Sequence, residues 1–416
     1  MSSILPALEC IQADDPLALT HCLHLPALVV TQLTFLRTLG WLLIAVHSPA
    51  PTAPCPRCGQ VSTQVHQYHT RLVRDLAWAD LRCVLHLVRR RFKCATCRRP
   101  FTEPLAALAP HARTTTRYAA HLLATVRTAT VAQVARAEQH GYHAVEGSVY
   151  RQAAAAHPPG PPPRRNTRRG IDEIAARKGH GHYNLVLVDL ETHQVFEQLP
   201  ARDKATVHAY FAQWSAAARA AVEEVTTDFW AAYHEVVADL LPTARVVGDR
   251  FHVQQHVNEA LNTVRREVQQ QMAPADRAWL QAHRHVVLCN EEDLDVAAAV
   301  ALEILKVYQP ALDIAHTLKE RLRTIYETAP DRASAATQLA EWLAAVAESG
   351  VAALVAVGAF VARWQEPILN YFVRRTTSGL VEGLNNKIKL VKRRAFGFRN
   401  DAHFRLRVLL ACNGAP

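Results

Sequence analysis

The sequence predicts a multidomain α+β and α/β protein. It would comprise a small metal-held finger, a helical region, and a mixed sheet flanked by helices with a large all-α insertion. Three observations carry this. Two Cys-x-x-Cys pairs stand at 55–58 and 94–97. Between 170 and 272, short apolar runs alternate with segments of helical period. From 273 to 370 the chain is Ala-rich, almost free of Gly and helical in period throughout. At 416 residues it is long enough for two or three domains, each with its own core.

Half the residues are hydrophobic and 20% are charged, ordinary values for a soluble globular chain. The formal net charge of +10 favours a polyanionic partner, and the cations are bunched. VRRRFKCATCRRP (88–100) holds six and no acid, RRNTRR (164–169) four, and KIKLVKRR (387–394) five. Three such clusters suit an extended contact with phosphates, whose neutralisation releases counterions. The first thirty residues carry Asp14 and Asp15 and no basic leader, so no secretory signal is expected. LTFLRTLGWLLIAV (33–46) is too short for a membrane span and contains Arg37, and VAALVAVGAFVA (351–362) reads as a buried helix. A cytoplasmic, nucleoid-associated protein is expected. Its nine cysteines then point first to metal rather than to disulfides.

After an N-terminal segment (1–50), residues 51–104 form the expected finger. Cys55, Cys58, Cys94 and Cys97 offer four thiolates from two tight turns, the donor set of a tetrahedral structural Zn²⁺. The 35 residues between the knuckles require a long hairpin, which the strand-like LRCVLHLVRRRF (81–92) can supply. Four unrelated buried cysteines are disfavoured, because both pairs share spacing and a basic flank. Cys83, His66, His69 and His86 are possible substitute ligands. Cys10, Cys22, Cys289 and Cys412 read as ordinary thiols.

Residues 105–158 turn helical: RYAAHLLATVRT (117–128), VAQVARAEQHG (131–141) and SVYRQAAAA (148–156). Two short helices split by a Gly-containing turn, the second opening at Ser148, resemble a helix-turn-helix. Ser148, Tyr150 and Arg151 would lie at its reading end, and a plain helical bundle is the alternative. The linker 159–169 is proline-rich, and its Arg164, Arg165, Arg168 and Arg169 would be free to meet phosphates.

From 170 to 272 the order is strand, strand, strand, helix, strand, helix, strand, helix. The strands are GIDEIAA (170–176), YNLVLVDL (183–190), QVFEQL (194–199), VEEVTTD (222–228) and ARVVGD (244–249). Helices are read at 204–222, from Phe229, and at 250–268. Such a mixed sheet with intervening helices is the order of a ribonuclease H-like fold. Asp172 on the first strand and Asp228 at the end of the fourth would then be neighbours. Paired carboxylates repel unless divalent cations neutralise them, and hard oxygen donors suit Mg²⁺ or Mn²⁺. A two-metal site activates a water or a 3′-hydroxyl for in-line displacement at phosphorus, and it needs a third carboxylate.

The helical stretch 273–370 reads as an insertion without chemistry of its own, with Trp364 a core anchor. The domain resumes at 371–416. SGLVEGLNNKIKLVKRRAFGFRN (378–400) holds six cations and one acid, Glu382. As a helix it places Val381, Leu384, Ile388 and Val391 on one apolar stripe. Glu382 stands at the stripe's edge near the helix start, able to join Asp172 and Asp228. Lys387, Lys389, Lys392, Arg393 and Arg394 lie behind it, placed to follow a DNA strand.

IDEIAARKGHGHY, VTTDFWAAYHEVV, LPTARVVGDRFHVQQHVN and TSGLVEGLNNKIKLVKRRAFGFRN, preceded by zinc knuckles and helices, resemble the DDE transposases of bacterial insertion sequences, specifically the ISL3 family. The resemblance covers essentially residues 50–408. It implies a ribonuclease H-like catalytic domain with a helical insertion before the final Glu. It also implies a catalytic triad of Asp172, Asp228 and Glu382, and a supporting Asp249-Arg-Phe-His252 element whose alternative is a strand-to-helix cap. The expectation is a transposase that binds terminal inverted repeats and uses Mg²⁺ or Mn²⁺ for cleavage and strand transfer into target DNA. A homodimer or larger assembly is implied by the family alone. The alternatives are an inactive or domesticated DNA-binding regulator and a structure-selective nuclease of the same fold.

Overall fold

The computed structural model describes residues 9–12, 19–21, 23–25, 27–160, 166–175, 181–377 and 379–413. The chain divides into two compact units, Met1–Ala156 and His157–Pro416.

The first unit is built on a six-stranded sheet in the order β1-β2-β3-β7-β6, with β8 on β7. The strands are β1 (Glu9–Gln12), β2 (Val29–Leu36), β3 (Trp41–His47), β6 (Val65–Arg74), β7 (Arg82–Lys93) and β8 (Pro100–Thr102); β4 (Ala53–Pro54) and β5 (Val61–Ser62) form a separate ribbon. Strict alternation buries Leu42, Ile44 and Val46 of β3 beside Cys83, Leu85 and Leu87 of β7. The stretch 33–46 is therefore no continuous apolar element but a hairpin, turned at Gly40. Segment 1–50 supplies three strands of the sheet that also holds β6 and β7 of the finger region. Cys83 belongs to the core of this sheet.

Three helices follow: α1 (Thr116–Val126), α2 (Val131–Ala137) and α3 (Tyr142–Ala156). Thr115 caps α1 by accepting from Tyr118 N, and Thr130 with Gln133 forms a reciprocal capping box on α2. The third helix begins at Tyr142, not at Ser148, because Val145, Val149 and Ala153 continue one buried stripe.

The second unit centres on a five-stranded sheet in the order β11-β10-β9-β12-β13. β9 (Arg168–Ala175), β10 (Tyr183–Asp189) and β11 (Gln194–Leu199) form an antiparallel meander; β12 (Glu224–Thr227) and β13 (Arg245–Gly248) run parallel to β9. This is the alternation of strands and helices read from the sequence. One detail differs: the 204–222 helix breaks into α4 (Lys204–Ala212) and α5 (Ala216–Ala220), because Ser215 caps the second piece. α6 (Ala231–Leu240) and α4 cover one face of the sheet through Val207, Phe211, Tyr233 and Val237. α14 (Gly379–Arg394) and α15 (Asp401–Cys412) cover the other, through Val381, Leu384, Ile388, Phe404 and Val408.

The helical part has its own core. It runs through α7 (Arg250–Gln271), α8 (Pro274–Ala282), α9 (Val296–Tyr308), α10 (Pro310–Thr328), α11 (Arg332–Glu348), α12 (Ala352–Arg363) and α13 (Gln365–Arg374). Among the described residues, no single helix is long and apolar enough to cross a membrane. α12 and α13 together reach that composition but are bent by 67°, and both contribute to this core.

Candidate active site and metal centre

Strand register builds an acidic row. In the parallel pair β12·β9, Thr226 lies opposite Gly170, so two residues further along both strands Asp228 comes level with Asp172. In β12·β13, Thr227 lies opposite Gly248, and one step on Asp228 comes level with Asp249. Three aspartates thus share one edge of three adjacent strands, where β12 and β13 end.

Their side chains are held individually. Asp172 Oδ1 accepts from Glu173 N at 2.6 Å, and Oδ2 from Asn385 Nδ2 at 2.7 Å. Asp249 uses both oxygens: Oδ1 caps α7 by accepting from Phe251 N at 3.0 Å, while Oδ2 lies 2.9 Å from His252 Nδ1. The Asp-x-x-His element is therefore a strand-to-helix cap and a histidine clamp at once. Beneath the row Glu173 accepts from Tyr233 Oη at 2.9 Å and from Arg202 Nη1 at 2.5 Å.

Electrostatics follow from that crowding. Burial, the Glu173 charge and the Asp172 charge push the Asp228 carboxyl up to about 6. Burial also raises Asp172, against the pull of the Glu173 N–H. The hydrogen bond to Asp249 raises His252, and the charges of Asp228 and Asp172 add to it. Such a set favours a cation or a proton nearby.

Glu382 comes from the opposite layer. α14 lies across β9 so closely that a Cβ on Gly170 would stand 2.8 Å from Val381 Cγ2. Glycine is what permits this approach. The expected apolar stripe is present, with Val381, Leu384 and Ile388 buried and Val391 half-buried. Glu382 is exposed in the first turn. It stands three residues before Asn385 and so on the same side of the helix, the side whose amide clasps Asp172. The carboxylates are not drawn into one tight cluster. Among the described residues, the four finger cysteines are the group whose ligand atoms all lie within 4.8 Å of one another. Asn385, Glu173 and Tyr233 escaped the sequence reading. Only the position of Asn385, one turn after Glu382, was a usable signal.

In the finger, Cys58 Sγ and Cys94 Sγ are 3.7 Å apart. A tetrahedron with Zn–S arms of about 2.3 Å has edges of about 3.8 Å, so the four sulfurs fit a zinc ion. The two knuckles repeat one design. Cys55 N donates to Gln60 O and Cys94 N to Arg99 O, at 2.9 and 3.1 Å. The residue after each second cysteine, Gly59 or Arg98, takes a left-handed backbone at φ 74° and 53°. Backbone N–H groups of Arg57 and Cys58 pull the Cys55 thiol down, toward the thiolate a metal needs. The substitute ligands His66, His69, His86 and Cys83 do not belong to this cluster.

The expected DNA contacts divide. Lys387, Lys389, Arg393 and Arg394 are exposed on α14, and Arg151 is exposed on α3. Lys392 is half-buried and donates to Ala175 O at 2.5 Å, tying α14 to β9. Arg168 pairs with Glu191 at 3.9 Å. Arg169 is 2% exposed and ion-paired with Asp189, so it is a core residue and not a phosphate contact. Tyr150 is likewise buried, and Ser148 is half-buried with Gln152 Nε2 donating to its carbonyl. Both lie mid-helix because α3 starts six residues earlier than expected. Arg164 and Arg165 fall outside the described residues.

Comparison with known proteins matches this architecture in two places. Residues 170–408 match the family model of the ISL3-type DDE transposases, described as "Transposase". Residues 51–97 match the zinc-finger of transposase IS204/IS1001/IS1096/IS1165. The chain is 32% identical over 373 residues, 88% of its length and 90% of the relative's, to the transposase for insertion sequence element IS1001 of Bordetella parapertussis. It is 28% identical over 259 residues, 56% of its length and 58% of the relative's, to the transposase for insertion sequence element IS1557 of Mycobacterium tuberculosis. With a zinc ribbon ahead of a mixed-sheet domain that the family model spans almost end to end, the chain belongs to the ISL3 family of transposases.

Proposed function

We propose that the protein binds the terminal inverted repeats of an insertion sequence and catalyses DNA cleavage and strand transfer at a DDE site. The strand order and the two helical layers support a ribonuclease H-like catalytic domain. The observation that carries the reading is the meeting of three elements. Asp228, directly after β12, comes level with Asp172 of β9 when the strand register is continued, and the helix bearing Glu382 is fixed over β9 by the Gly170–Val381 contact and the Asn385–Asp172 hydrogen bond.

Asp172, Asp228 and Glu382 would hold Mg²⁺ or Mn²⁺. When bound, the ions supply Lewis-acid stabilisation of the attacking and leaving oxygens. The chain's own residues then position the reactants. Asn385 and the Glu173 N–H fix both Asp172 oxygens. His252, hydrogen-bonded to Asp249 and close enough to Asp172 and Asp228 to feel their charge, would offer a hydrogen-bond donor at the edge of the acidic row. Lys387, Lys389, Arg393 and Arg394 run along α14 to engage the DNA backbone, so that orientation precedes chemistry. Ahead of this domain, α2 and α3 with the intervening turn support a helix-turn-helix. Its reading end would be the exposed residues at the start of α3, Tyr142, His143 and Ala144, with Arg151 beyond. Action on two ends calls for at least a dimer on DNA.

The test compares Asp228→Asn and Glu382→Gln with wild type on repeat-bearing duplex, with binding and cleavage measured together. Retained binding with lost cleavage is expected; undiminished cleavage in either variant refutes the triad. Pre-cut ends supplied with Mg²⁺ and target DNA separate strand transfer from the simple cutting of a nuclease. Binding without either reaction in the wild type identifies a regulator.

A further inference from the structure

Away from the carboxylate row, one cavity in the second unit gathers positive charge with no acid facing it. It has a volume of about 470 Å³ and is lined by Arg265, Arg266 and Gln269 of α7 and by Gln281, Arg284 and His285 around the end of α8. Arg265 is 5% exposed. Its Nε and Nη2 donate to Asn262 Oδ1 at 3.0 and 2.8 Å, and its Nη1 to Gln269 Oε1 at 2.7 Å.

A guanidinium this buried normally faces a carboxylate. Here its partners are neutral amides. Burial lowers its pKa, and the charges that act on it, Arg266 and Arg284, are of the same sign and lower it further. Neither Arg266 nor Arg284 forms an ion pair among the described residues. Three like charges held together around a cavity are a standing cost that a bound anion offsets, and the planar fork of arginine suits the paired oxygens of a phosphate.

We propose that this cavity binds a phosphodiester of a nucleic-acid strand, with Arg265 as the buried anchor and Arg266 and Arg284 as exposed arms. The assignment rests on DNA being the substrate of the carboxylate site. No Phe, Tyr or Trp lines the cavity and cationic arginines dominate it, so the contact is to the backbone, without regard to sequence. Its distance from the chemistry is set by one helix. α7 starts at the acidic row, and Arg265 comes 16 positions after Asp249, about 24 Å at 1.5 Å per residue. A strand advancing about 3.4 Å per nucleotide would reach the cavity roughly seven nucleotides from the scissile phosphate.

The experiment uses the full chain and titrates a labelled random-sequence duplex by fluorescence anisotropy over a range of NaCl. Arg266→Gln and Arg284→Gln, both at exposed positions, spare the fold, and circular dichroism checks them. Each is expected to weaken binding several-fold and to lower the slope of log K against log salt by about 0.9. A methylphosphonate placed about seven nucleotides from the cut should weaken the wild type and weaken Arg284→Gln by a smaller factor. If both variants bind with unchanged affinity and slope while the wild type binds and cleaves, the cavity assignment is overturned and the transposase reading stands. If the wild type neither binds nor cleaves any duplex, the reading beneath it fails as well. A rise in wild-type melting temperature with inorganic phosphate that Arg284→Gln lacks, at equal DNA affinity, would assign the cavity to a free anion and overturn the nucleic-acid proposal.

Discussion

Replacing Asp228 by Asn should stabilise the metal-free protein while abolishing its chemistry. The Asp228 carboxyl ordinarily ionises near 3.8 and is pushed up to about 6 by burial and by Glu173 and Asp172. A shift of about two units corresponds to a ceiling of about 3 kcal/mol for keeping this carboxylate charged in the fold. The group is only half-buried, and solvent screening reduces the figure to about 1–3 kcal/mol. The sign follows from proton binding. Between pH 4 and 6 the folded state holds a proton that the unfolded chain has lost, so stability falls as pH rises through that window and levels off above it. Asparagine carries no charge and escapes this penalty. At about 2–4 °C per kcal/mol for a domain of this size, the unfolding midpoint of Asp228→Asn in EDTA near pH 7.5 should lie about 2–12 °C above wild type. The gap should close as pH falls toward about 4.5, where Asp228 is protonated in the fold. Added Mg²⁺ should raise the wild-type midpoint more than that of the variant. Differential scanning fluorimetry at both pH values reads all of this. A variant midpoint equal to or below wild type near pH 7.5 in EDTA refutes the account of a strained, cation-seeking carboxylate.

Removing the clasp on Asp172 with Asn385→Ala should lower the cleavage rate about tenfold, the cost of one charge-assisted hydrogen bond, while DNA affinity stays within twofold. Weakened affinity at an unchanged rate would place Asn385 in binding instead. Gly170→Ala sets a methyl 2.8 Å from Val381 and should cost about 1–3 kcal/mol and much of the activity. Val381→Ala in the same chain should recover part of both, and simple additivity in that double-mutant cycle would deny the contact. Cys94→Ser should release zinc, measured with a chromogenic chelator, and should abolish repeat binding while the second unit still unfolds cooperatively. Intact binding without zinc would refute a structural role for the metal.

The sequence exposed the parts of this molecule whose chemistry is local. Paired Cys-x-x-Cys motifs declare a four-thiolate site because each knuckle is a single turn. The strand and helix order of 170–272 is written in period, and the 381–391 stripe in i,i+3 and i,i+4 spacing. Features that depend on distant partners were not legible. Arg169 looks like a linker cation until Asp189, twenty residues later, is found opposite it on the paired strand. Tyr150 looks like the head of a helix until Val145 and Val149 are seen to extend that helix backward on a buried face. The hairpin at 33–46 was hidden because Gly40 is the sole turn residue inside an apolar run.

The all-helical insertion also has more to do than its composition suggests. It returns to the sheet through α13, whose Asn370 Nδ2 donates to Val246 O at 2.8 Å. Pro367 on the same helix lies 3.4 Å from where a Cβ on Gly248 would stand. Both contacts are on β13, the strand beside the one that leads into Asp228. Only the short stretch 375–378 then separates α13 from α14. The anchoring of α13 on β13 therefore fixes where α14 can begin, and so where Glu382 arrives relative to Asp172 and Asp228. On that reading, a chain excursion of about a hundred residues would bring its acid toward the sheet because its last helix is pinned one strand away from Asp228. On the proposed triad the insertion would act as a positioning element for the third carboxylate, and its large core would supply the rigidity that role requires.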